Sequence, residues 1–470
     1  MSDRPIRPEP ARPAHPAHHD PAAPPEADRS TLRRAIGASA IGNAVEWFDY
    51  GVFAYGAVII SQVLFPEEAT GALIFTLLAF AVSFVMRPIG GMVWGPLGDT
   101  IGRKKVLAAT IMLMAAATFC IGLIPSYAAI GIAAPVLLYL LRMVQGFSTG
   151  GEYGGAATFM AEYAPDRKRG FYGSFLEFGT LAGFNGGALL MLTLTWNLSP
   201  AQMLDWGWRI PFLIAGPLGL IVLYLRSKME DTPVFRELEA QTHTTDERVL
   251  DKFKDLFTTY LPIMLRLGAL VIALNVINYT LLSYMPTYLQ TTIDLSDSHA
   301  LIIPIVGQFA MMAVLPFVGA LSDRVGRKPL WIASLVAFIV LAVPLYHFMA
   351  QGFTQAMIAF TILGLLYTPQ LATISATFPA MFPAHVRYAG LAMGYNIATS
   401  LFGGTAPLVN ESLIDATGNT LIPAWYMVGA CVVGLVGAVT MIETKGVSVR
   451  GTDIPGTGPI PVAAGQERRG

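Results

Sequence analysis

Twelve apolar segments run along almost the whole chain, and no other feature limits its fold so strongly. They lie near 35–63, 72–97, 106–124, 130–160, 171–195, 209–227, 260–290, 300–320, 330–349, 355–378, 388–410 and 422–443. About 20 apolar residues in helical form cross the hydrocarbon core of a bilayer. In lipid the backbone must satisfy its own polar groups, which leaves the helix as the element such segments can form. Composition agrees: 13% of residues are charged and 54% hydrophobic, where a soluble domain carries roughly 25% charge. The expected fold is an all-α membrane protein with twelve transmembrane helices in two six-helix bundles. The expected domains are a disordered cytoplasmic tail (1–32), an N-terminal bundle (33–227), a cytoplasmic linker (228–258), a C-terminal bundle (259–445) and a second disordered cytoplasmic tail (446–470).

Lys and Arg set the expected orientation, because loops on the cytoplasmic side carry them in excess. Arg103, Lys104 and Lys105 follow span 2, Arg167, Lys168 and Arg169 follow span 4, and Arg324, Arg327 and Lys328 follow span 8. The linker adds Arg236, Arg248, Lys252 and Lys254. The opposite loops hold Glu67, Glu68, Asp205, Asp294, Asp297, Glu411 and Asp415, with Arg209 at their boundary. Both termini are therefore expected in the cytoplasm, with the protein multi-pass in the inner (plasma) membrane.

Other classes find little support. A net charge of −1 gives no footprint for nucleic acid. Cys120 and Cys431 both sit in apolar stretches, a placement that suits small buried residues better than a disulfide or metal site. His15, His18 and His19 lie in a Pro- and Ala-rich tail and read as solvated. No Walker loop, metal cluster or Ser nucleophile elbow is evident, so the chain is not expected to be an enzyme.

An internal repeat then appears. Gly95-Pro-Leu-Gly-Asp99-Thr-Ile-Gly102-Arg103-Lys104 after span 2 matches Gly319-Ala-Leu-Ser-Asp323-Arg324-Val-Gly326-Arg327-Lys328 after span 8. The offset is 323 − 99 = 224 residues. Each copy holds the same place in its half, so the halves are parallel repeats about an axis normal to the membrane.

Polar residues inside the apolar segments are candidates for function, since ionisable groups in lipid are costly and mark ion or substrate paths. In span 4, Arg142, Gln145, Thr149 and Glu152 fall within about 80° on a helix. Gly146, Gly150 and Gly154 form a neighbouring face of small residues that admits a close helix. Arg142 and Glu152 stand about 15 Å apart along the axis, too far to pair, so other spans must meet them. Glu46 or Asp49 is expected to meet Arg142, and Arg87 to meet Glu152. In span 1, Asn43, Glu46 and Asp49 share a face, with Glu46 about 16 Å into the span. Repulsion and lost hydration favour a proton there, so Glu46, Asp49 and Glu152 are the candidates for proton coupling and Arg142 for an anionic group. Glu177 is more ambiguous. Trp47, Tyr50, Tyr153, Tyr279, Tyr284 and Tyr395, with Gln145 and Asn275, are candidate substrate contacts, because aromatic faces hold ammonium groups. Packing is the competing reading for each.

The chain resembles the major facilitator superfamily, whose corresponding loops carry this Gly-xxx-Asp-Arg-x-Gly-Arg-Lys pattern; Thr100 replaces the usual Arg in the first copy. More narrowly it is similar to the metabolite:proton symporter family, through Gly42 to Tyr50, Arg142 to Gly155, Arg169 to Gly179 and Glu230 to Phe235. Within it, Cys120 to Tyr127, Asp205 to Pro211, Leu282 to Leu289 and Phe378 to Tyr388 look like the proline/betaine osmoprotectant transporters. The resemblance implies the major facilitator fold and a gating role for Asp99, Arg103, Asp323 and Arg327. It further implies proton-driven import of a zwitterion such as proline or glycine betaine, with no cofactor beyond the proton gradient. The implied partners are that small zwitterionic or anionic metabolite, the proton and the lipid bilayer, with no nucleic acid and a functional monomer. Symport of an organic acid (dicarboxylate, citrate or shikimate type) remains an alternative, and a transport-dead osmosensor a more distant one. The chain ends in a Gly- and Pro-rich stretch without heptads, where osmosensing members continue into a coiled-coil helix.

Overall fold

The computed structural model describes residues 29–66, 71–101, 103–150, 157–158, 160–161, 164–227, 258–447 and 449. The expected linker and most of both tails lie outside these, as do Glu152 and Tyr153 and the side chains of Asp99 and Arg103. Among the described residues the secondary structure is helical throughout. The spans are α1 (Arg29–Tyr55), continued by Ala57–Leu64, then α2 (Ala72–Ile101), α3 (Arg103–Gly122), α4 (Ala133–Thr149), α5 (Arg169–Asn197) and α6 (Arg209–Ser227). The second half has α7 (Leu261–Thr291), α8 (Asp297–Val325), α9 (Arg327–Met349), α10 (Phe353–Thr377), α11 (Ala384–Ala398), continued by Ala406–Thr417, and α12 (Ile422–Thr440). Among the described residues, eight helices are long and apolar enough to cross a bilayer, and the bent α1 pair makes a ninth. The remaining three segments are shorter or interrupted, yet match expected spans 3, 4 and 11.

The repeat in sequence becomes a repeat in packing. In the first half α1 packs on α5 and α6, α3 on α4 and α6, and α2 on α4. In the second, α7 packs on α11 and α12, α9 on α10 and α12, and α8 on α10. The second set is the first moved on by six helices. Between the halves, α5 lies against α8 and α10, and α2 against α11.

Three expected spans are not continuous helices. Span 1 bends by 61° at Gly56. Span 7 carries a π-helical stretch at Tyr279–Tyr284, just before Pro286, and span 11 another at Thr399–Gly403. Such wide turns release backbone from the regular ladder and often sit at functional places.

Glycine sets how closely the helices approach. A Cβ on Gly146 would stand 1.7 Å from the Ser83 carbonyl oxygen, and one on Gly150 2.1 Å from that of Arg87. The expected small-residue face is thus where α4 meets α2. Because the obstacle is backbone, it cannot yield as a side chain would. Gly146→Ala should lower stability by about 3 kcal/mol, the upper range for overpacking, whereas Gly429→Ala, with open space around it, should stay within about 0.5 kcal/mol. Thermal melts of the two purified variants check this; equal melting would contradict the close crossing.

Candidate functional site

The seam between the bundles closes over aromatic side chains. From α1 come Trp47 and Tyr50, from α2 Phe80 and Phe84, from α5 Phe184, and from α7 Tyr279. Tyr279 crosses from the second bundle to lie 5.0 Å from Phe84, 6.1 Å from Trp47 and 6.2 Å from Phe80, between ring centroids. Trp47 in turn lies 5.7 Å from Tyr50 and 5.4 Å from Phe184. Edge-to-face and tilted contacts of this kind add attraction beyond burial. The π-helical turn places Tyr279 at the first residue after the regular part of α7.

Two arginines border this box. Arg87, 2% exposed, lays its guanidinium 4.1 Å over the Phe84 ring and 4.9 Å over that of Tyr50. Arg142, fully buried, lies 4.1 Å over Phe53. Their hydrogen bonding differs. Arg142 Nη1 donates to Gln145 Oε1 (2.8 Å), Nη2 to Ser83 Oγ (3.2 Å) and Nε to the Ala79 carbonyl (3.5 Å). Arg87 has no hydrogen-bond partner at Nε or Nη2, while the Tyr50 hydroxyl is a hydrogen-bond partner of its guanidinium and Glu46 and Tyr279 lie within electrostatic range.

The expected meeting of Arg142 with a span 1 carboxylate is real but indirect. Gln145 Nε2 donates to Thr118 Oγ1 (2.5 Å), and Thr118 Oγ1 donates to Asp49 Oδ2 (2.9 Å). The guanidinium and carboxylate are therefore joined through α4 and α3 side chains rather than in a salt bridge. Asp49 Oδ1 has no hydrogen-bond partner. Glu46 and Asp49 both line a crevice of about 340 Å³ between α1, α3 and α6. Thr149, on the same face of α4, lies 3.3 Å from the Tyr50 hydroxyl.

The other candidates divide. Tyr395 is buried, within electrostatic range of Tyr279 and Tyr367. Asn275 ties α7 to α11, donating to Thr399 Oγ1 (2.9 Å). Tyr284 lies apart from the box, donating to Glu411 (2.6 Å) beside Tyr288 and Tyr346. Glu177 accepts from Thr180 (2.9 Å), which also accepts from Asn43 (2.6 Å), so this group joins α1 to α5.

At the end bearing the repeated loops, Asp323 of α8 accepts from the backbone N–H groups of Gly170 (2.8 Å) and Phe171 (3.0 Å) at the start of α5. It also accepts from Arg327 Nη2 (2.6 Å). A carboxylate at a helix N-terminus meets unpaired donors and the positive end of the helix dipole. Gly170 and Gly319 face each other there: a Cβ on either would stand 2.4–2.5 Å from the other's carbonyl oxygen. Further cross-bundle bonds run from Asn396 to the Gly150 carbonyl (2.9 Å), Ser400 to the Phe84 carbonyl (2.6 Å) and Gln308 to the Tyr55 hydroxyl (2.9 Å). Beyond Tyr55, a crevice of about 400 Å³ lies between the bundles at the opposite end, bordered by Gln62, Thr195, Gln290 and Asp297.

Sequence reasoning missed Ser83 and Thr118 as links in the arginine network, and the Tyr55–Gln308 bond. Ser and Thr in apolar helices usually bond their own backbone, so nothing local singled these out.

The model of the Major Facilitator Superfamily matches residues 40–407. The chain belongs to this superfamily. A proline/betaine transporter of Escherichia coli (strain K12) is 43% identical over 431 residues, covering 90% of this chain and 86% of that one. A glycine betaine/proline/ectoine/pipecolic acid transporter, OusA, of Dickeya dadantii (strain 3937) is 43% identical over 435 residues, with the same coverage. Among solved structures, a proton:xylose symporter, XylE, superposes with a TM-score of 0.70 over 89% of this chain and 97% of that one, at 17% identity. This last likeness is one of fold.

Asp323→Ala should release the end of α5 from α8 at the loop-bearing end. Hydrogen bonds to a charged group contribute about 1.5–3 kcal/mol, so the balance should shift toward opening by about 2 kcal/mol. Spin-label distances between the loop-bearing ends of α5 and α8 read this directly. An unchanged distance distribution would remove Asp323 from the closure.

Proposed function

We propose that this protein is a proton-coupled symporter that imports a small zwitterionic osmoprotectant, such as proline or glycine betaine, by alternating access. One observation carries the reading: a buried box of aromatic faces, with walls from both bundles, lies beside a buried carboxylate. The faces of Trp47 and Tyr279 suit a substrate ammonium, whose attraction to an aromatic ring grows when water is excluded, while Tyr50 already faces the Arg87 and Arg142 guanidiniums. Because the two bundles share the box, moving one against the other would open it to either side.

Asp49 is the leading proton carrier. It has one oxygen held by Thr118 and the other open, and through Thr118 and Gln145 it reports its charge to Arg142 at the edge of the box. Glu46 shares its crevice and Glu152 completes the candidate set. Asp323 with Arg327, and by the repeat Asp99 with Arg103, would hold the loop-bearing end shut. By the excess of Lys and Arg that end faces the cytoplasm, with both termini inside, in the plasma membrane, and the monomer working alone. The relatives named above, whose substrates are zwitterions, support the substrate class.

In proteoliposomes, an inward proton gradient should drive uptake of betaine or proline. One proton moving through 100 mV supplies about 2.3 kcal/mol, enough for about 50-fold accumulation. Asp49→Asn should abolish accumulation while leaving exchange of labelled for unlabelled substrate. No uptake of either zwitterion, with robust uptake of 2-oxoglutarate, would move the reading to organic acids. Binding without transport would make the protein a sensor.

A further inference from the structure

Three hydrogen-bond donors in the aromatic box are buried and unpartnered: the Arg87 guanidinium at Nε and Nη2, the Trp47 indole Nε1 and the Tyr279 hydroxyl. Their residues are 2%, 4% and 0% exposed. A buried donor without a partner is costly, and a cationic one more so, so three around one place are a sign of something that completes them. The Arg87 atoms narrow the choice. Nε and Nη2 lie on one edge of the planar guanidinium, the edge whose two parallel N–H bonds match both oxygens of a carboxylate. The faces of the same guanidinium are occupied, by Phe84 and Tyr50, which holds the plane and leaves the edge as the part open to a ligand.

We propose that Arg87, not Arg142, receives the substrate's carboxylate, with the Tyr279 hydroxyl and Trp47 indole N–H as additional donors. This rests on the zwitterion symporter reading and adds the residues that hold the anionic end. Arg142 has each nitrogen bonded to Gln145, Ser83 or Ala79, which uses three of its five N–H groups, so a carboxylate there would compete with the network to Asp49. A carboxylate has two oxygens and about four lone pairs: two take the Arg87 edge, and the others remain for Tyr279 and Trp47. The donors come from α1, α2 and α7, so the anionic end would hold the two bundles together across the seam. With one open guanidinium edge in the box, the site fits a monocarboxylate with an ammonium group rather than a dianion.

The test compares glycine betaine with choline, which has the same trimethylammonium group but no carboxylate. Wild-type protein in proteoliposomes should take up betaine, and about tenfold excess choline should leave that uptake nearly unchanged, since a bidentate charged pair is worth about two decades of affinity. Arg87→Lys keeps the charge and loses the fork: its ligand-free melting should match wild type, and its KM for betaine should rise at least about tenfold. Tyr279→Phe should raise KM about threefold to tenfold. Wild-type KM in both variants, or choline competing as well as betaine, would overturn the assignment. Should Arg87→Lys fail to purify as a monodisperse protein, Tyr279→Phe and Trp47→Phe decide, and unchanged KM in both overturns it. If the wild type accumulates an organic acid in place of a zwitterion, the zwitterion reading falls separately. The KM of Arg87→Lys for that acid then still decides whether Arg87 holds a carboxylate.

Discussion

A charge buried inside a bilayer must be met by other parts of the same protein, and most of the interior of this chain is arranged around that requirement. Arg142 and Asp49 stand on different helices and do not touch. Their opposite charges are joined by the Gln145 amide and the Thr118 hydroxyl, one from α4 and one from α3. The relay gives each buried charge hydrogen bonds from neutral dipoles, and it links the state of a carboxylate to the position of a guanidinium. Arg87 shows the opposite arrangement, with aromatic faces around it and an edge left open. One arginine belongs to the scaffold, the other is poised toward the seam.

Among the described residues, few hydrogen bonds cross the seam. Asp323 caps α5 at one end, Asn396 and Ser400 reach across the middle, and Gln308 meets Tyr55 near the other. Each joins one bundle to the other, while the packing within each bundle repeats with a shift of six helices. The bundles also pack on one another through α5 against α8 and α10 and α2 against α11, so moving one against the other must exchange this packing as well as the polar contacts. The close approach of Gly170 and Gly319 lets Asp323 reach the first turn of α5. The repeated motif therefore acts on packing and on charge at once.

Much of this was legible in the chain. Twelve spans and the 224-residue repeat predicted the helices and their two halves, and the resemblance of the repeated loop motif pointed to the superfamily to which the chain belongs. The polar face of span 4 and the carboxylates of span 1 pointed to the region where Arg142 and Asp49 meet. The π-helical stretches in α7 and α11 and the bend at Gly56 were not legible, because hydropathy averages over about 20 residues and passes over a single widened turn. The separation of Tyr284 from Tyr279 was also hidden. They lie five residues apart in one segment, and only the packing puts Tyr279 in the seam and Tyr284 at Glu411.

By itself the sequence determined what must lie in lipid and which helices are equivalent, since burial in a bilayer acts on each segment alone and a repeat is visible as text. Only the tertiary structure decided which donors are satisfied. Arg87 and Arg142 look alike in the chain, each a lone cation in an apolar span. Their difference comes from Gln145 one turn along α4, and from Ser83 and the Ala79 carbonyl, which reach Arg142 only after α2 and α4 have packed. Hydrogen bonds end within about 3 Å, and which groups come that close is settled by the packing of whole helices.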